Sequence, residues 1–193
     1  MAILEIVIPP HPTLRETARP VVDFGQDLQT LIDDMIETMI EGNGVGLAAN
    51  QVAVPLQVIT VLLPLPDPEN EEEEEEMEDM PNHAGELFAL VNPAVTWHSR
   101  KTVSGVEGCL SVPGIVGEVI RHEKVRVEAM DRHGKSFSMR FEGWMARIFQ
   151  HEIDHLQGVL FTDHIDDPEK IWQVTVGEEE LVEAEYEQYR LAD

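Results

Sequence analysis

The stretch FQHEIDHLQGVLF, residues 149–161, constrains this chain more than any other. His151 and His155 stand four residues apart, which puts two imidazoles on one face of a helix where both can grip one metal ion. Glu152 beside them is suited to act as a general base. Ile148 continues the stripe of His151, Glu152 and His155, while Met145, Phe149 and Leu156 fall where they can meet a core. An amphipathic helix beginning near Trp144 is therefore expected.

A catalytic metal of this kind takes three protein ligands and keeps one position open. In the longer form H-E-x-x-H-x-x-G-x-x-H the third ligand is downstream; Gly158 fits that pattern, but position 161 is Phe, which has no donor atom. Asp163, His164 and the glutamates from Glu178 lie further on, in ordinary acidic surroundings. Upstream, the only cysteine, Cys109, stands in GVEGCLSVPG, residues 105–114, beside Gly108, which permits close backbone approach. A thiolate is a strong ligand for iron or zinc, and a small core residue is the alternative role.

A third stretch, GVGLAANQ at 44–51, is glycine-rich, yet no Lys-Ser or Lys-Thr follows and a helix rather than a strand precedes it, so a phosphate loop is disfavoured. It is either a bare turn before a strand or a place where Gly46, Ala48 and Ala49 let a substrate backbone lie close. In the second case Gln51 offers an amide donor to a polarised oxygen.

Around these stretches, the period of Leu28, Leu31, Ile32, Met35, Ile36 and Met39 predicts a core-facing helix over 23–41, ended by Gly42, Asn43 and Gly44. LQVITVLL, 56–63, reads as a buried strand, and 87–95 and 117–143 as short antiparallel strands with a turn at His133-Gly134. The length of 193 residues suits one domain. Within it, 64–86 is expected to be a solvated, mobile acidic insertion, with six consecutive glutamates and four prolines, and 168–193 an acidic C-terminal helix with Pro168 in its first turn.

The formal charge of −25, from 38 acidic and 13 basic residues, argues against nucleic acid or an anionic membrane as direct partners. One cysteine excludes an intrachain disulfide, and the N-terminus has no basic flank before its short apolar run, so a cytoplasmic protein is expected.

Taken together, GVGLAANQ, EGCLS and HEIDH resemble, in this order, the three motifs of the peptide deformylases, and PTLRETARPV resembles that family's N-terminal segment. The resemblance spans about residues 10 to 165 apart from the insertion. It implies an α+β fold, with antiparallel or mixed sheets packed around a central metal-binding helix. It implies that Cys109, His151 and His155 hold one divalent ion, natively Fe2+, with Zn2+ or Ni2+ as substitutes. Glu152 would be the general acid and base, Gln51 and the Leu110 N–H the oxyanion donors, and Gly46 and Gly108 part of the peptide channel. Val45, Trp144 and Ile148 would wall a methionine pocket, and Gln150 and Asp154 would support the helix.

The substrate implied is an N-formylmethionyl nascent peptide, hydrolysed to formate and a free N-terminus by a monomer or weak dimer. The chain departs from the family where Val116 and its neighbours stand in place of a frequent arginine, in the polyglutamate run, and in an acidic rather than basic tail. Two other functions fit parts of the pattern. One is an H-E-x-x-H peptidase, in which Cys109 would be dispensable and a downstream ligand essential. The other is an inactive relative that binds N-terminal peptides.

Overall fold

Branched and aromatic residues fill the middle of the chain, and they form strands that pair antiparallel throughout. The computed structural model describes residues 2–62 and 85–174. In chain order its elements are α1 (Gln26–Glu41), β1 (Gly46–Ala48), β2 (Val58–Leu62), β3 (Leu87–His98), β4 (Thr102–Gly108), β5 (Ile115–His122), β6 (Lys124–Met130), β7 (Ser136–Glu142), α2 (Gly143–His155) and β8 (Ile171–Gln173). Five strands make one sheet in the order β1-β2-β3-β6-β7, and β4-β5-β8 make a second. The expected α+β architecture is the observed one.

Helix α2 lies between the sheets, packed on β1, β2, β3, β6 and β7 on one side and on β5 on the other. Its Phe149 is stacked on Phe141 of β7, with ring centroids 3.9 Å apart, and meets Phe88 of β3 edge-on at 5.8 Å. Met145, Ala146, Ile148 and Leu156 join the same buried cluster as Ile59, Val61, Val125 and Val127. A second cluster forms where Leu28, Ile32, Met35 and Met39 of α1 meet Leu47, Val58 and Val91. The 3.6-residue period of α1 is what brings these four side chains onto one face.

Gly134, at φ +84°, sits in the turn between β6 and β7, as its sequence suggested. The helix α2 stops within one turn of Gly158, at φ +73°, where an added Cβ would lie 2.6 Å from the Arg15 carbonyl. The C-terminal expectation needs correction. Pro168–Lys170 is a single 3-10 turn and Ile171–Gln173 is the edge strand β8, because these residues find backbone partners at Ile115–Gly117 that a helix could not use. Positions 175–193, the rest of the expected helix, lie outside the described residues, as does 64–84 of the acidic insertion. That insertion joins two neighbouring strands, since Leu62 pairs with Leu87. Among the described residues, no helix is long and apolar enough to cross a membrane.

Candidate metal centre

Three donor atoms converge at the buried face of α2. His151 Nε2 and His155 Nε2 are 3.2 Å apart, Cys109 Sγ is 3.3 Å from His155 Nε2, and all three ligand atoms lie within 4.8 Å of one another. The histidines come from one helix face, as their spacing requires; Cys109 arrives just past the end of β4. One thiol and two imidazoles are the ligand chemistry of zinc and ferrous iron, and three ligands leave a coordination position for water or substrate.

Of the downstream candidates, Asp163 and His164 do not converge there, and the glutamates from Glu178 lie outside the described residues. Asp163 pairs with Arg15, and His164 Nε2 lies 2.8 Å from Asp154 Oδ2. Phe161, at the position where the longer motif has its third histidine, lies roughly parallel to the His151 ring, with centroids 6.2 Å apart. That position therefore supplies packing rather than a ligand.

Behind the histidines is a buried ionic network that the motifs do not announce. Glu107 Oε2 is 2.9 Å from His151 Nδ1, so that nitrogen carries the proton and Nε2 is left facing the cysteine and His155. Arg121 grips the same carboxylate with two bonds, from Nε at 2.8 Å and Nη2 at 2.9 Å, and Arg147 adds a third at 2.8 Å. Burial alone would raise the Glu107 pKa, but the hydrogen bonds from Arg121 and His151 outweigh it and hold the carboxyl well below its ordinary range. Glu107 is thus a fixed anion.

The same balance acts on the imidazoles. Burial would discharge His151, yet its bonds to Cys109 and Glu107 hold its pKa well above the usual value. His155, desolvated and next to His151 and Arg121, is held well below. The two imidazoles are thus biased in opposite directions, and what fits a divalent cation is the donor set itself, one thiol and two imidazoles within reach of one ion.

Glu152 lies one residue from His151 and is 4% exposed. Desolvation pushes its pKa up to about 7, with the His151 charge opposing and Glu107 assisting. Its Oε2 finds no hydrogen-bond partner among the described residues, an arrangement that is costly for a purely structural carboxylate. Gly46 is what makes room for it: a Cβ there would stand 2.3 Å from Glu152 Oε1.

Gln51 is held by its own loop. The Ala48 N–H donates to Gln51 Oε1 at 2.8 Å, which turns the amide nitrogen toward Ser111 Oγ, 3.3 Å away, and Cys109 Sγ, 3.4 Å away. The backbone N–H of Leu110 follows Cys109 directly and has no acceptor among the described residues. Val45, Trp144 and Ile148 belong to one apolar cluster, Val45 and Trp144 at its partly buried margin. Gly108 is exposed at the end of β4. Val116 is buried against Val106 and Val174, so the stretch without arginine is a packed one.

Sequence reading missed Glu107, Arg121, Arg147 and Ser111. The available signal was strand alternation: Gly105 and Glu107 on β4 pair with Val119 and Gly117 on β5, so Glu107 shares the inward face with buried apolar positions. Asp154, expected to support the helix, bonds Arg121 directly.

An α+β scaffold with a Cys-His-His donor set and a buried glutamate next to it is the architecture of a metal-dependent hydrolase. The family model for polypeptide deformylase matches residues 3–171. A peptide deformylase of Symbiobacterium thermophilum is 47% identical over 163 residues, 84% of this chain and 67% of the relative. The crystal structure of a class I type b peptide deformylase from Acinetobacter baumannii bound to Met-Ala-Ser is similar, with a TM-score of 0.74 and 35% identity, over 85% of this chain and 99% of that one. So is the Thermotoga maritima peptide deformylase, with a TM-score of 0.73 and 34% identity, over 86% of this chain and all of that one. The chain belongs to the peptide deformylase family, metal-dependent hydrolases that remove the formyl group from the N-terminal formyl-methionine of newly made polypeptides and release formate.

Proposed function

We propose that the 193-residue chain is one catalytic domain in which Cys109, His151 and His155 hold a single ferrous ion, and that its substrates are N-formylmethionyl nascent peptides. The observation that carries this reading is the convergence of one thiol and two imidazoles beside Glu152, whose Oε2 has no hydrogen-bond partner among the described residues. An ion held there supplies Lewis acidity, polarising the formyl carbonyl and making water a nucleophile near neutral pH.

The chain's own groups do the rest. Glu152, with a pKa of about 7, can take the proton of the attacking water and return it to the leaving amine nitrogen. Gln51 Nε2 and the Leu110 N–H donate to the oxygen that gains negative charge in the tetrahedral state. Gly46 and Gly108 leave room for the peptide backbone, and Val45, Trp144 and Ile148 receive the unbranched methionine side chain. That the A. baumannii relative is bound to Met-Ala-Ser supports a peptide that begins with methionine as the ligand class. With a charge of −25, the protein works without direct nucleic-acid contact, in the cytoplasm, as a monomer or weak dimer.

The test is formate release from formyl-Met-Ala-Ser by protein prepared without oxygen and loaded in turn with Fe2+, Ni2+ and Zn2+. Turnover fastest with iron is expected. Cleavage of an internal peptide bond without formate, or tight binding without product, would overturn the reading.

A further inference from the structure

The network behind His151 does not end in the core; it runs outward to the surface at His164. Arg121 spends Nε and Nη2 on Glu107, and its remaining nitrogen, Nη1, goes to Asp154 Oδ2. That same oxygen is 2.8 Å from His164 Nε2. His164 sits in the 3-10 turn Phe161–His164 that follows α2, and its side chain is 37% exposed. Four links thus connect a surface imidazole to a metal ligand: His164 to Asp154, Asp154 to Arg121, Arg121 to Glu107, and Glu107 to His151.

The geometry assigns hydrogen positions along this chain. Asp154 Oδ2 accepts, so His164 Nε2 must donate, and Arg121 Nη1, 3.4 Å from that nitrogen, cannot also donate to it. Arg121 and His164 therefore share one acceptor. Asp154 is 27% exposed, and without His164 its carboxylate would have, among the described residues, the arginine alone to hold it against solvent. A guanidinium is planar, and fixing Nη1 fixes the plane in which Nε and Nη2 meet Glu107. The neighbouring Asp163 is committed to Arg15 and is not free to take the place of Asp154.

We propose that His164 and Asp154 are positioning residues for the metal centre: by fixing the Arg121 plane they fix Glu107 and, through it, the Nε2 direction of His151. The proposal rests on Cys109, His151 and His155 being the metal ligands. Removing a direct hydrogen-bond partner of a ligand commonly costs ten- to a hundredfold in metal affinity or activity. His164 acts three bonds further back, so its loss should cost less, about three- to tenfold.

The experiment compares the parent with His164→Leu, His164→Gln and Asp154→Asn. Three quantities are measured: Co2+ affinity by chelator competition, the ligand-field absorption of the cobalt-loaded protein, and thermal unfolding of the metal-free protein. Glutamine can place an amide N–H where His164 Nε2 stands. The expected result is weaker Co2+ binding and a shifted spectrum for His164→Leu and Asp154→Asn, both restored to within about twofold in His164→Gln. Equal affinity and spectra in all variants, with or without a change in unfolding temperature, would overturn the proposal and reduce His164 to a surface contact. A parent that binds no Co2+ would instead overturn the ligand assignment, and the proposal with it.

Discussion

The two sides of helix α2 are held by different forces. Toward the five-stranded sheet the contact is apolar: Phe149 stacks on Phe141 and meets Phe88, with Met145, Ala146 and Leu156 around them. Toward the three-stranded sheet it is ionic: Arg147 donates to the Val103, Gly105 and Val119 carbonyls and to Glu107, which in turn holds Arg121 and His151. Apolar burial is strong but non-directional. Hydrogen bonds between buried ions add less net stability yet fix orientation. The first side anchors the helix, and the second aims its histidine.

That division can be broken from either side. The largest effect is expected at the reacting face itself: Glu152→Gln should lower kcat/KM by about 10^2- to 10^4-fold, the range for a general acid and base, while bound metal stays at the parent level. Steady-state kinetics with metal analysis separates the two. Next comes the apolar side, where Phe149→Ala should cost about 3–5 kcal/mol in denaturant unfolding, with the folded fraction retaining most of its turnover. A loss of activity without a loss of stability would show that the stacking aims the site after all.

On the ionic side, Glu107→Gln should reduce metal affinity or activity about 10- to 100-fold and also destabilise, because Arg121 and Arg147 lose their shared anion. Smaller still in its effect on turnover, Gly46→Ala should cut kcat about tenfold by displacing Glu152, and destabilise by about 1–3 kcal/mol through overpacking; an unchanged kcat would show that Glu152 need not stay where Gly46 admits it. Last, in the metal-free protein the contribution of Glu152 to stability should fall as pH rises. Burial raises Glu152 from an ordinary 4.5 to about 7, so between those values the folded state binds more protons than the unfolded state. The stability of the parent relative to Glu152→Gln is therefore full below about 4.5 and declines up to about 7. A difference independent of pH would contradict the burial argument.

The contrast between the two sides also explains what could be read from sequence. Local periodicity carried α1, α2 and the buried strand β2, because the 3.6-residue and branched-residue patterns lie within one element. The His pair, Glu152 and the turn at Gly134 were legible for the same reason. Cys109 was legible as a candidate, but its choice over the downstream donors rested on three motifs in order rather than on spacing. The ionic network was opaque: Glu107, Arg121 and Arg147 come from three elements and meet only through the β4–β5 register and the position of α2. Ile171–Gln173 is a strand that local pattern does not reveal, because its partner strand lies more than fifty residues earlier.

The central claim is that one sheet supplies a cysteine to complete a metal site begun by two histidines on α2. It is tested most directly by measuring bound iron and formate release together, on the parent and on Cys109→Ala prepared without oxygen. About one ion per chain with turnover in the parent, and neither in the variant, is the expected result. A variant that keeps both its metal and its rate would contradict the claim and return the third ligand to the downstream acids.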